Sequence, residues 1–120
     1  MKKINVVKEN KDFAKIINNG NKCWNDTFSI YYDKNDLKKY RFGISVSKKI
    51  GNAVTRNKIK RQLRMIVDKF KNVYSNDKDY IIIVKRNYIN LTFNEVIEKY
   101  CELIEKIKHK KENLYEKNKK

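Results

Sequence analysis

The chain has 120 residues, 40% of them hydrophobic, and a formal net charge of +16 from 30 Lys and Arg against 14 Asp and Glu. That length makes one domain with a true core, burying roughly two thirds of the surface its unfolded chain exposes, and the charge favours a polyanionic partner, nucleic acid or an anionic membrane surface. Two cysteines, Cys23 and Cys101, are too few and too distant for a disulfide framework or a zinc site and read as neutral thiols. No segment has the apolar length to span a bilayer, and the opening M-K-K-I-N-V-V-K-E-N lacks a long apolar stretch, so the chain reads as cytoplasmic.

In chain order, Phe13, Ile16 and Ile17 recur at helical spacing before Gly20, with Asn10 placed to cap, which predicts a short helix over 10–19. T-F-S-I-Y-Y over 27–32 and R-F-G-I-S-V-S over 41–47 are β-prone. D-K-N-D between them reads as a turn, so the two are expected to form a hairpin. Gly51 supplies backbone freedom for the turn into a long helix over 52–71. Ile59, Leu63, Ile66, Val67 and Phe70 fall on one side of that helix as its core face. Y-I-I-I-V over 80–84 is continuously apolar, the pattern of a strand buried on both faces. Thr92 and Glu95 have capping-box spacing, and Phe93, Ile97, Tyr100, Ile104 and Ile107 give the final helix its apolar stripe. The domain is expected over 1–111, followed by a basic, mobile tail over 112–120.

Chemistry concentrates in residues 48–64, K-K-I-G-N-A-V-T-R-N-K-I-K-R-Q-L-R, inside an interval, 37–67, that contains no acid and ten of the basic residues. Abundant Lys, Asn and Ile can reflect A·T-rich coding, so arginine is the better witness. Three of the five arginines, Arg56, Arg61 and Arg64, stand here, and guanidinium geometry suits bidentate phosphate contacts. Lys48, Lys49, Arg56, Lys60, Arg61 and Arg64 can straddle several phosphates, with Asn57 adding a directional hydrogen bond to a base edge or ribose. A solvated helix face is the competing reading, but it does not account for the missing acids that would form pairs one turn away.

A second constellation is aromatic. Strand alternation puts Phe28, Ile30 and Tyr32 on one face of their strand and Ser29 and Tyr31 on the other, where single-stranded nucleic acid could stack. For Tyr31 the stacking and structural readings both stay open. Catalytic groups are not evident: His109, the sole histidine, has no nucleophile or carboxylate partner in sequence and reads as solvent-facing, and Asp77 with Asp79 reads as a turn.

The stretch 48–64 closely resembles the RNR signature of the bacterial ribonuclease P protein component, and the resemblance extends through N-K-D-F, F-S-I-Y-Y, R-F-G-I-S-V-S, D-Y-I-I-I-V and L-T-F-N-E. It implies an α/β fold, an α+β sandwich of αβββαβα order, with a four-stranded sheet and a left-handed βαβ crossover; the residue patterns alone yield three strands. It further implies a protein that binds the catalytic RNA of ribonuclease P and assists removal of the 5′ leader from precursor tRNA. The RNA, with Mg²⁺ bound mainly by it, performs the hydrolysis and the protein alone is inactive; no residue of the chain is assigned as a metal ligand, and no obligate protein partner is expected. Lys48, Lys49, Arg56, Asn57, Lys60, Arg61 and Arg64 match positions facing the RNA subunit. Phe13, Ile17, Ser29 and Tyr31 match a cleft that receives the leader. Ile17 and Ser29 depart from the aromatic and aliphatic residues common there, and K-R-N-Y at 85–88 replaces a commoner segment containing R-K-P. The alternatives are a ribosomal-type RNA-binding protein and a DNA binder laying 52–71 in a groove.

Overall fold

The computed structural model describes the backbone of residues 10–119 and the side chains of residues 12–108. The helices are α1 (Asn10–Asn19), α2 (Ala53–Lys69) and α3 (Phe93–Lys119), and the strands are β1 (Asn21–Trp24), β2 (Phe28–Lys34), β3 (Arg41–Ser45) and β4 (Lys78–Val84). Their sequence is the αβββαβα order implied by the resemblance. A short 3-10 turn, Arg86–Asn90, links β4 to α3.

The sheet runs β1-β2-β4-β3, with β1–β2 and β2–β4 antiparallel and β3–β4 parallel. This corrects the expected hairpin: β2 and β3 do not pair, because β4 lies between them. The turn after β2 does form. Asn35 organises it by accepting from Leu37 N at 2.9 Å and donating to the Lys39 carbonyl at 3.0 Å, with Lys38 at a positive φ of 58°. It carries the chain across the width of β4 rather than back alongside β2. The hairpin that exists joins β1, a strand not expected from the sequence, to β2. Asn25 Oδ1 accepts from Thr27 N and Phe28 N, both at 2.9 Å, to fix its corner.

Alternation along β2 and β4 gives the sheet two apolar faces. Phe28, Ile30, Tyr32, Phe42, Tyr80, Ile82 and Val84 form the main core with Ile59, Leu63, Ile66 and Val67 of α2 and Val96, Tyr100, Leu103 and Ile104 of α3. On the opposite face Ile81 packs with Ile16 of α1, joined by Phe13, Tyr31 and Ile83. The order of layers is α1, sheet, then α2 with α3. β4 is therefore buried on both faces, as its apolar run predicts.

Asn52 caps α2 by accepting from Thr55 N at 2.9 Å. Gly51 does not adopt a left-handed backbone; its requirement is space, since a Cβ there would lie 2.9 Å from Thr55 Cγ2. Thr92 and Glu95 exchange the reciprocal hydrogen bonds of a capping box at 3.0 and 3.2 Å. In the core, Tyr74 donates to the Val67 carbonyl at 2.8 Å and shares a 2.9 Å hydrogen bond with Tyr100, so both buried hydroxyls are satisfied. Burial pushes the pKa of both phenols upward.

Asp79 is not a turn residue. It is 5% exposed in β4, where Arg41 donates to it twice, Nε at 2.8 Å and Nη2 at 2.6 Å, and Asn35 Nδ2 adds a third bond at 2.7 Å. α3 continues helically across the expected 111/112 boundary. The side chains of Asn10 and His109, assigned from sequence to capping and to solvent, lie outside the described residues, as do those of the 112–120 segment.

Candidate nucleic-acid interface

α2 packs with one side and exposes the other. At about 100° per residue, the core residues Ile59, Leu63, Ile66, Val67 and Phe70 occupy one arc, while Arg56, Lys60, Arg64, Asn57 and Arg61 lie at roughly 0°, 40°, 80°, 100° and 140° from Arg56, moving away from it. Burial follows these angles. Arg56 and Lys60, nearest the core, are half-buried, whereas Arg64, Asn57 and Arg61 are exposed. The Arg56 Nε is enclosed, with no hydrogen-bond partner among the described residues. Lys48 and Lys49 are exposed on the turn before α2. No acid stands in the first turn of the helix, so its N-terminal dipole adds to these cations instead of being offset. The structure thus gathers the seven residues on α2 and the turn leading into it.

The second group is placed by α1. Gly43 of β3 is the contact that lets α1 lie on the sheet: a Cβ there would meet Phe13 Cζ at 2.5 Å and Ile81 Cδ1 at 2.8 Å. Phe13 is half-buried over this gap, and Tyr31 packs half-buried against the same cluster. Ile17, one position beyond the buried Ile16, is 37% exposed. Ser29 shares the sheet face of Tyr31 but is only 6% exposed, so it forms floor rather than wall. α1 is further tied to β3 by Asp12, whose Oδ2 lies 3.8 Å from Arg41 Nη1.

Sequence reasoning missed Lys22 and Trp24. The register sets Lys22 beside Tyr31 and Trp24 beside Ser29, so both belong to the α1 face. Lys22 Nζ sits 5.3 Å from the ring centroids of both Trp24 and Tyr31. The signal was the alternation N-K-C-W after Gly20, in a strand of four residues with one buried side chain.

The segment 85–88, whose role the departure from R-K-P left open, is largely structural. Lys85 Nζ donates to the Asn25 carbonyl at 2.7 Å, holding the β1–β2 corner, and buried Tyr88 donates to Gln62 Oε1 on α2 at 2.8 Å. Burial pushes the Tyr88 hydroxyl up to about 12. Arg86 is exposed.

A family model described as Ribonuclease P matches residues 1–108. The chain belongs to the ribonuclease P protein family. The ribonuclease P protein component of Mycoplasma mycoides subsp. mycoides is 42% identical over 109 residues, covering 90% of this chain and all of that protein. The component from Bacillus cereus strain Q1 is 39% identical over 97 residues, 80% of this chain and 84% of the relative. Among solved structures, the RNase P protein of Staphylococcus aureus superimposes with a TM-score of 0.81 at 34% identity, covering 87% of this chain and 95% of that one. The RNase P protein of Thermotoga maritima gives 0.76 at 30%, covering 84% and 96%. The family component is a subunit of the RNA-based ribonuclease P holoenzyme, which cleaves the 5′ leaders of precursor tRNA. The ribosomal-type and DNA-groove alternatives are not favoured by this membership. Among the described residues no helix is long and apolar enough to cross a membrane.

Proposed function

We propose that this chain grips the catalytic RNA of ribonuclease P with the outward face of α2 and receives the 5′ leader of precursor tRNA in the cleft between α1 and the sheet. The observation that carries the first half is the absence of acids from residues 37–67, which span the approach to α2 and the helix as far as Val67, joined to a core face that fixes the helix rigidly. Lys48, Lys49, Arg56, Lys60, Arg61 and Arg64 neutralise phosphates and release counterions, and Asn57 supplies a directional contact. Holding most of the cations on a packed helix means that no backbone ordering there is charged against binding, which leaves the rotamer freedom of the exposed side chains as the cost. The half-buried Arg56 has the least freedom to lose.

Phe13 and Tyr31 support the second half, as aromatic walls of one cluster, with Ile17 as an aliphatic edge and Ser29 beneath. Single-stranded RNA offers a π-face at every base, so such a cleft tolerates varied leaders. No group of three or more His, Cys, Asp or Glu is placed to hold a metal ion among the described residues. Mg²⁺ belongs with the RNA in this reading, which sets the complex in the cytoplasm and leaves the protein to raise substrate affinity and screen the gathered phosphates.

The test is reconstitution with a bacterial ribonuclease P RNA. At low Mg²⁺ the protein should stimulate precursor tRNA cleavage far above the RNA alone and should cleave nothing by itself. Tyr31→Ala should weaken precursor tRNA with a leader much more than mature tRNA. Absence of stimulation would remove the holoenzyme reading; equal losses on both tRNAs would remove the cleft.

A further inference from the structure

Trp24 is the only tryptophan in the chain and is 57% exposed, on a strand at the edge of the sheet. Nothing in the fold calls for so large a ring there, since its neighbour Cys23 supplies the core contact of β1. Its surroundings are cationic and aromatic. Lys22 reaches between Trp24 and Tyr31, 5.3 Å from each ring centroid. Beside β1 lies a groove of about 350 Å³ lined by Lys22, Cys23, Trp24, Tyr32 and Lys106. Lys22 and Trp24 therefore stand on the rim shared by this groove and the α1 face that carries Tyr31.

We propose that the β1 edge is a second subsite for single-stranded RNA, in which a leader nucleotide beyond those in the cleft stacks on Trp24 while its phosphate takes Lys22. This rests on the cleft reading above, because Tyr31 supplies the preceding stacking position. The geometry suits a dinucleotide step: two rings on one face, one ammonium between them, and a groove with a second ammonium, Lys106, to receive the continuing backbone. The ammonium has three donors, so it can hold a phosphate oxygen while remaining over the rings. A net charge of +16 and continuity with the cleft favour RNA over an apolar protein segment.

The sole tryptophan is also the probe. The holoenzyme reconstituted with its RNA is titrated with precursor tRNA bearing a long leader, with the same tRNA trimmed to the leader nucleotides next to the cleavage site, and with mature tRNA, while indole emission and affinity are followed. The long leader should quench Trp24 and the other two should not. Trp24→Ala should weaken the long-leader substrate roughly fivefold to 150-fold, the span of one base–aromatic stack, with Trp24→Phe recovering part of the loss and the trimmed substrate unaffected. Thermal unfolding of each variant checks that the exposed site has not altered the fold. Unchanged emission with the long leader, or equal losses on long and trimmed substrates, overturns the second subsite. Tyr31→Ala separates the two readings: if it keeps a leader-specific loss in that case, only the β1 site falls, and if it too shows none, the cleft falls with it.

Discussion

Gly43→Ala tests whether the seat of α1 shapes the leader cleft. The added methyl would lie 2.5 Å from Phe13 Cζ, 3.0 Å from Phe13 Cε1 and 2.8 Å from Ile81 Cδ1. A carbon needs about 3.5 Å or more from its neighbours, so the Phe13 ring must swing aside or lift α1 with it. Overpacking of this kind costs about 1–3 kcal/mol, or a fall in Tm of about 4–12 °C for a domain of this size. Leader discrimination should fall, while catalytic-RNA affinity should hold, because Ile59, Leu63, Ile66 and Val67 of α2 pack on the other face of the sheet. Phe13→Leu removes both ring atoms that the methyl meets. In that background Gly43→Ala should cost about 1 kcal/mol less than alone, a coupling measurable by urea unfolding of the four-member cycle. Equal penalties in both backgrounds would show that the Phe13–Gly43 contact does not set the helix position.

Three more outcomes follow from named contacts. Arg61→Ala should weaken catalytic-RNA binding and flatten the logarithmic salt dependence by up to about one unit if one phosphate contact is lost; unchanged affinity and slope would restore a solvated-face reading of α2. Asp79→Asn should destabilise the fold by about 3 kcal/mol in urea unfolding, near the lower end for a broken buried pair, since the Arg41 side chain keeps 18% exposure; a loss below about 1 kcal/mol would make the pair a spectator. Alkali should destabilise the chain through its buried phenols. With the folded pKa of Tyr88 raised from 10.0 to about 12, stability is complete below pH 10 and declines as pH rises toward 12, because the unfolded state loses its proton first. Urea midpoints between pH 8 and 11 should therefore fall less steeply in Tyr88→Phe than in the parent chain, and parallel curves would refute the assignment.

The helices were legible because each writes its period into adjacent residues. Ile59, Leu63, Ile66 and Val67 announce the buried side of α2, and the same arithmetic explains why Arg56 is half-buried while Arg61 is not. Tyr80 to Val84 revealed burial on both faces through composition alone. Pairing was not legible. Phe28–Lys34 and Arg41–Ser45 are neighbours in sequence with a true turn between them, and only the later β4 determines that they lie apart. Asp79 misled for a similar reason: its partners Asn35 and Arg41 are remote in sequence, so its burial had no local mark. β1 offered too short a period to register. The cationic positions on α2 could be chosen from helix angles, whereas Lys22 and Trp24 acquire their place beside Tyr31 only from the register of β1 on β2.

The insertion of β4 between β2 and β3 also orders events in time. While the chain is being synthesised, α1 and the β1–β2 hairpin can form from what has already emerged, but β3 has no partner strand until Lys78–Val84 is made. α2 is thus complete before the sheet beneath it can close, since Tyr80, Ile82 and Val84 of its central strand arrive after the helix that covers them. The cations from Arg56 to Arg64 have no acid among them to offset their repulsion, and closing the sheet around a late central strand is a non-local, slow step. The nascent chain therefore exposes its most basic segment before the domain has closed, at a stage when a polyanion could hold it.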